Sequence, residues 1–384
     1  MESILDFAHK YLADLEASNL RRKLTKIKWI GGQRAVVDGR KVVVFSTNDY
    51  LGLARHPKVK QGAAKAARLY GNGSTGSRLL TGGHPLLFEL EERLSLFKNV
   101  EATIVIGSGY LANIAVLQAL GGEDCTVFSD RLNHASIIDG CKLSRCKLVI
   151  YPHCDLDSLE WHLKHTRNRK VIVTDAVFSM DGDVVDVPSL IKIAHAHGAI
   201  LVLDDAHGTG VMGPGGRGTL AYYGISPPSF VIQVGTLSKA LGSYGAFVCG
   251  ARDIIELIIN RGRPLVFSTA LPPSIIGGAI AALEILQEQP DLVKKLHQRA
   301  DELRSRLKLP TSAHSTISLV LGEAKRAVAA SMLLYQMGFL VQAIRPPTVP
   351  EGTSRLRINV AANHSRTDIK KLANAIITVL EQVR

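Results

Sequence analysis

An α/β fold with a mostly parallel central sheet and a smaller C-terminal α+β domain is predicted by three observations. Short apolar, β-branched runs recur through the middle of the chain, helix-compatible segments separate them, and the texture changes after about residue 270. Strands alternating with helices make a parallel sheet covered on both faces, and that two-sided burial makes each strand read as a continuous apolar run. Ligands of such sheets sit at the carboxyl ends of the strands.

Taken in order, MESILDFAHKYL reads as an amphipathic helix using Ile4, Leu5, Ala8, Leu12 and Leu15. Its acidic positions 2 and 6 and its lack of an apolar run fit neither a signal nor a transit peptide. Residues 1–50 are expected to form this helix and a strand segment, ahead of a large domain over 51–272. The strands predicted there are TIVIG (103–107), CTVFS (125–129), KLVIY (147–151), KVIVTD (170–175), AILVLDD (199–205), FVIQVG (230–235) and GAFVCG (245–250). After about residue 270 come LPPS, a long helical stretch, STISLVLG, another helix and SRLRINVAANH, and residues 273–384 are read as the small domain. The Pro-rich AIRPPTVPEGTSR (343–355) is a constrained loop, since proline fixes φ.

Several classes are set aside on composition. Five cysteines form no CxxC pair, so neither a disulfide framework nor a zinc site is expected, and a reducing cytosol fits best. No metal site is expected, because the 13 histidines show no ligand spacing. No run approaches the roughly 18 apolar residues of a membrane span. Two segments match GxGxxG, yet Gly71–Gly76 follows a helix-like stretch and Gly208–Gly213 runs into PGGRG, which cannot open a helix. Neither has the strand–turn–helix context of a dinucleotide fingerprint.

A more specific constellation is an Asp at a strand end and a Lys one strand later. Asp204 closes ILVLDD, where two adjacent carboxylates in apolar surroundings require a buried cation. Lys239 sits in GTLSKALGSYG among glycines and hydroxyls, which admit a planar cofactor and offer donors to a phosphate.

Together VTDAVFSMDGD (173–183), LDDAHGTGVMG (203–213), GTLSKALGSYGAFVCG (235–250) and FSTNDYLGL (45–53) closely resemble the α-oxoamine synthases, enzymes of aminotransferase fold type I that depend on pyridoxal 5'-phosphate. The resemblance runs from the first helix to RLRINVAANH (355–364), and it implies the aspartate aminotransferase-like fold. Within that family AIRPPTVPEGTSRLRI (343–358) is most similar to the members that join L-alanine to a pimeloyl thioester in biotin synthesis. Members using glycine and acetyl-CoA share Lys239 and Asp204 and are the nearest alternative.

The resemblance implies roles. Lys239 would hold the cofactor covalently and carry protons, Asp204 would pair with the pyridine nitrogen, and His134 would stack on the ring. Ser179 and His207 would bond the ring oxygen. Ser108, Gly109 and Tyr110, opening a helix after a strand, would receive the phosphate together with Thr236. The family's obligate homodimer would bring Thr269 to the neighbour's phosphate. Arg357 would clamp the alanine carboxylate, with Arg355 assigned the opposite strand face as the control position. Arg21 would receive the far carboxylate of the pimeloyl chain, under a loop containing Thr348.

The formal charge is +12, and residues 1–70 hold 14 basic against 6 acidic side chains. Nucleic acid is an unconvincing partner, since only 5% of residues are aromatic and no binding module is recognisable. The anions expected instead are the cofactor phosphate, two substrate carboxylates, and either coenzyme A or an acyl carrier protein docking on the basic N-terminal region.

Overall fold

A computed structural model describes residues 4–383. It divides into two compact units: a large one of Asn48–Ser179 and Asp183–Lys295, and a small one that combines the residues up to Thr47, Met180–Gly182, and the residues from Leu296 onward.

Strands are numbered along the chain as β1 (Ile27–Gly31), β2 (Arg34–Val37), β3 (Arg40–Val44), β4 (Ala102–Ile106), β5 (Cys125–Asp130), β6 (Lys147–Tyr151) and β7 (Arg169–Asp175). There follow β8 (Ala199–Asp204), β9 (Val231–Thr236), β10 (Ala246–Gly250), β11 (Thr316–Gly322), β12 (Phe339–Leu340), β13 (Gln342–Ile344) and β14 (Ser354–Asn359).

All seven strands predicted for the large domain lie in one sheet, in the order β4-β10-β9-β8-β7-β5-β6. Only β10 runs antiparallel to its neighbours. Two-sided burial explains their continuous apolar texture: Val171, Val173, Val202 and Ile232 join one core, while Ile172, Leu201, Leu203 and Val231 join another. The helix Gly109–Leu120 is apolar on nearly every side and is buried accordingly.

The helix Pro273–Glu288 belongs to the large unit, although the change of texture suggested that the small domain begins at 273. Small residues explain the placement. A Cβ on Gly62 would lie 2.6 Å from the Gly277 carbonyl oxygen, and one on Gly277 would lie 2.6 Å from the Ala66 Cβ, so this helix and Pro57–Tyr70 approach at backbone distance.

In the small unit, residues 27–44 and the residues from Leu296 onward form one body rather than separate segments. β12 adds to the β1-β2-β3 ribbon in parallel, pairing Phe339 with Val43 and Leu340 with Val44. Phe45 is buried with Leu334, Leu356, Ile358 and Ile376, and its ring stacks on His364 at 3.9 Å. A second sheet has the order β11-β14-β13. The helix Ile4–Ala17 forms as expected, but it buries none of its residues within the chain. No helix among the described residues is long and apolar enough to cross a membrane.

β14 corrects the parity assigned to its arginines. Leu356 and Ile358 enter the core, while Arg355 and Arg357, two residues apart, share the opposite face, as the period of a strand requires. Arg355 donates to the Asp181 carboxylate and, through Nε, to the Thr353 carbonyl at 2.9 Å.

Candidate active site

The carboxyl ends of five strands deliver the predicted groups of the large unit. Ser108 follows β4, His134 follows β5, Ser179 follows β7, Asp204 ends β8, and Thr236 ends β9 three residues before Lys239.

The two adjacent carboxylates have contrasting environments. Asp205 meets the buried ammonium of Lys98 at 2.8 Å and accepts from the Thr209 hydroxyl at 2.9 Å and the Thr219 amide at 3.1 Å. Among the described residues Asp204 accepts hydrogen bonds from neutral donors, the Asn113 side-chain amide at 2.6 Å and the Ala206 backbone at 3.0 Å. No ion pair to Asp204 occurs among the described residues, and the Asn113 Oδ1 beside it is buried without a hydrogen-bond partner. The sequence required a buried cation at this strand end. Lys98 supplies one for Asp205, so the unmatched carboxylate is Asp204.

The Lys239 Nζ lies 2.8 Å from the His207 Nε2, and the His207 Nδ1 lies 2.8 Å from the Tyr50 hydroxyl. Both ring nitrogens of His207 are thus engaged, and its tautomer sets which of Lys239 and Tyr50 donates to the ring. Gly210, at φ +79°, lets the DDAHGTG loop close on the lysine segment: a Cβ there would strike the Ala240 Cβ at 2.4 Å.

His134 caps the helix Ala135–Leu143, with its Nδ1 2.7 Å from the Ser136 hydroxyl. Its backbone amide donates to Asp175 at 2.7 Å, and Asn133 ties the same loop to β7. The residue as a whole is exposed, although its ring nitrogen contact is part-buried. Desolvation holds its pKa below the ordinary histidine value, with Lys239 acting in the same sense and Asp204 against it. Asp175 is pushed well above the carboxylate range, first by burial and then by Asp204.

Ser108 is the N-cap of Gly109–Leu120, its hydroxyl accepting from the Leu111 amide at 3.2 Å. Gly109 and Tyr110 form the first turn, whose free amides and dipole favour an anion. The Tyr110 hydroxyl bonds Asp139. Thr236 and Ser238 bring hydroxyls 2.8 Å apart. Thr269 is exposed, bridged to Ser77, and lines a small recess with Gly107. Ser179 is half-buried in the turn between Val177 and Val184, which bridge one another.

The small unit holds the other predicted groups. Arg21 pairs with Glu16 at 3.3 Å and lines a cavity of about 490 Å³ with Lys23, Ser331 and Arg345. The Arg22 guanidinium reaches the exposed Thr348 hydroxyl at 3.4 Å. Burial, and secondarily the charge of Arg22, push the Arg345 pKa down. Arg357 is buried on the polar face of β14.

Sequence reasoning missed Lys98, Asn113, Tyr50 and Asp175, each the partner of a predicted residue. They lie from 41 to 157 positions from those residues, and no local pattern joins them. It also missed a convergence of Asp130, His153 and Cys154 at the ends of β5 and β6. Its donors are engaged: His153 bonds Asp130 at 3.0 Å and Asp183 at 2.8 Å, and these hydrogen bonds push its pKa up to about 12.

Comparison with known proteins gives a consistent picture. Residues 40–376 match the family of class I and II aminotransferases. An 8-amino-7-oxononanoate synthase of Maricaulis maris is 46% identical, over 99% of this chain and 97% of its own. A serine palmitoyltransferase from S. paucimobilis, solved with a bound PLP–myriocin aldimine, superposes with a TM-score of 0.93 at 27% identity, over 99% and 98% of the two chains. An 8-amino-7-oxononanoate synthase from Francisella tularensis superposes with a TM-score of 0.77 at 29% identity, over 89% and 98%.

Proposed function

Because the chain belongs to the class I and II aminotransferase family, pyridoxal-phosphate-dependent enzymes, and within it to the 8-amino-7-oxononanoate synthases, we propose that it condenses L-alanine with a pimeloyl thioester. The products are 8-amino-7-oxononanoate, CO₂ and the free thiol, a step of biotin synthesis. The relationship at 46% identity carries the choice of reaction, and the unmatched carboxylate of Asp204 beside Lys239 and His134 supports the fit of the cofactor.

On this reading Lys239 would hold the cofactor through its aldehyde, Asp204 would bond its pyridine nitrogen, and His134 would stack on its ring. Ser179 and His207 attend the ring oxygen, and Ser108, Gly109, Tyr110 and Thr236 receive the phosphate. When bound, the cofactor supplies an electron sink for negative charge at the alanine Cα. Every other task falls to the chain. With the cofactor bound, the Lys239 amine would take the α-proton of alanine at Nζ and later return one to the product, as a base held within hydrogen-bond reach of His207. Asp204 would hydrogen-bond the pyridine nitrogen, and the Asn113 amide, 2.6 Å from its Oδ2, fixes the orientation of that carboxylate.

Arg357 grips the alanine carboxylate with a planar two-pronged donor, which sets the direction of the Cα–H bond. Arg21 receives the distal carboxylate of the acyl chain, and Thr348 lies in the loop over it. The protein acts as a cytoplasmic homodimer in which Thr269 completes the phosphate site of its partner, consistent with the exposure of Thr269 and Phe267.

Product identification by mass spectrometry, with a panel of amino acids and acyl thioesters, tests the reaction. Alanine with pimeloyl-CoA should release thiol fastest, and a clear preference for glycine with acetyl-CoA would overturn this choice of substrates. The exposed basic residues of the N-terminal region suit an acidic acyl carrier protein as the donor. Reversing Lys26 and Lys28 together should lower turnover with the carrier-bound substrate several-fold more than with pimeloyl-CoA.

A further inference from the structure

At the amino ends of the large sheet, opposite the strand ends that carry the candidate site, three parallel strands set Cys146, Cys125 and Arg169 in a row. The β5–β6 register pairs Thr126 with Lys147 and Val127 with Leu148, so one residue earlier it brings Cys125 beside Cys146. On the other side of β5, Cys125 pairs with Arg169 of β7. Cys125, Val127, Leu148 and Cys146 meet in the same apolar cluster, which places both thiols on one face. Neighbouring strands lie about 4.8 Å apart. That separation falls inside the roughly 4.4–6.8 Å that disulfides span between Cα atoms.

The two thiols differ in surroundings. Cys125 is fully buried, whereas Cys146 is half-buried in the bend leading into β6. Hydrogen bonding with the Cys125 thiol comes first among the influences on the Cys146 sulfur, and polar contacts at Ser144 and the Gly122 amide and the charge of Arg169 act in the same sense, against burial. Together they hold the Cys146 pKa well below the ordinary thiol value. Cys125 is pushed up by the same hydrogen bond and by burial. Beside them lies a cavity of about 820 Å³ whose wall includes Gly122, Ser144, Arg145, Arg261 and Arg263 against one carboxylate, Glu123.

We propose that Cys146 and Cys125 are a redox-modifiable dithiol, in which Cys146 attacks an anionic low-molecular-weight disulfide of the glutathione type and Cys125 resolves the adduct. In the first step the Cys146 thiolate bonds one sulfur of glutathione disulfide, the S–S bond breaks, and one glutathione thiolate leaves. Cys146 is then no longer an anion, so the main influence raising the Cys125 pKa is gone. Cys125 loses its proton to solvent, attacks the Cys146 sulfur and expels the second glutathione thiolate. One disulfide has been reduced to two thiols and one has formed, so the electrons balance. The three guanidiniums of the cavity favour a reagent bearing carboxylates over a cationic one.

The test is to incubate the holoenzyme with glutathione disulfide and map its cysteines by mass spectrometry. A Cys125–Cys146 link, with two protein thiols lost and two glutathione thiols released per chain, is the expected result. Cystamine, a cationic disulfide, should react at least tenfold more slowly at low salt. The Cys125→Ser variant should stop at a glutathione adduct on Cys146. Without any variant, alkylation of Cys146 by iodoacetamide should rise less than tenfold between pH 6 and pH 8, against roughly 80-fold for an unperturbed thiol. An unmodified Cys146 beside a glutathionylated Cys154, or a link to Cys141 in place of Cys125, would overturn the proposal.

Discussion

The two units handle charge in opposite ways. In the large unit the ionisable groups around Lys239 are fixed by short bonds from neighbouring strand ends: Lys239 to His207 to Tyr50, Asp204 to Asn113, and Asp205 to Lys98. In the small unit Arg21, Arg22, Lys23 and Arg345 gather with Glu16 as the carboxylate that pairs with Arg21 and Lys23, and much of that cluster is exposed. Groups that must move a proton need a fixed geometry. Cations that receive a substrate carboxylate need net charge left over, which the small unit retains.

The strongest way to break this comparison is in the large unit. Lys239→Ala should lower turnover by at least about 10²–10⁴-fold from lost proton transfer alone and should remove the absorbance of protein-linked cofactor, read by steady-state assay and visible spectroscopy. The neighbouring aspartates should then separate function from stability. Asp205→Asn leaves Lys98 buried without its counter-charge and should destabilise the protein by about 3–5 kcal/mol in denaturant melts. Asp204→Asn should keep the melting temperature within a few degrees yet reduce kcat. If Asp204→Asn proved the more destabilising, the assignment of compensated and open carboxylates would be reversed.

pH distinguishes the units next. In the small unit His364 accepts from the Ala361 amide at 2.9 Å and donates to the Val44 carbonyl at 3.0 Å, and burial pushes its pKa down to about 4. The unfolded chain takes up this proton near pH 6.5 and the folded one does not until about pH 4. The contribution is therefore complete above pH 6.5 and is lost as pH falls towards 4, by about 3 kcal/mol. His153 in the large unit has the opposite sign: its raised pKa stabilises below pH 6.5, and that stabilisation fades as pH climbs towards 12. Melts of His364→Gln between pH 7 and 4 should be flatter than those of the parent protein.

The smallest effect separates two arginines on one face of β14. Arg357→Ala should raise the KM for alanine by roughly 10- to 100-fold, the equivalent of a lost charge-assisted bond, with kcat less affected. Arg355→Ala should leave that KM within a few-fold and loosen the turn that Asp181 anchors. A larger KM change for Arg355→Ala would transfer the clamp to that residue.

Much of the large unit was legible because its strands and helix starts are written locally. Runs such as VIVTD and ILVLDD are apolar for their own burial, and His134 and Ser108 cap helices that begin one residue later. Strand order was not legible, since antiparallel β10 sits between β4 and β9 for reasons of long-range pairing. The same holds for Lys98, which reaches Asp205 across 107 residues, and for the helix Pro273–Glu288, whose small residues fit a helix two hundred positions earlier. The parity of Arg355 was legible and was misread: strand periodicity alone puts it with Arg357.

The parallel pairing of β3 with β12 has a consequence for synthesis. Val43 already pairs with Arg34 of β2, but the other edge of β3 finds its partner only when Phe339 and Leu340 have been made, some 300 residues later. At roughly 5–20 residues per second, that is a wait of about 15–60 s. The sheet of the large unit can close in that interval, because all of its strands lie between residues 102 and 250. The first strands of the chain are therefore among the last to find their place, and on the ribosome the small unit depends on the final portion of the message.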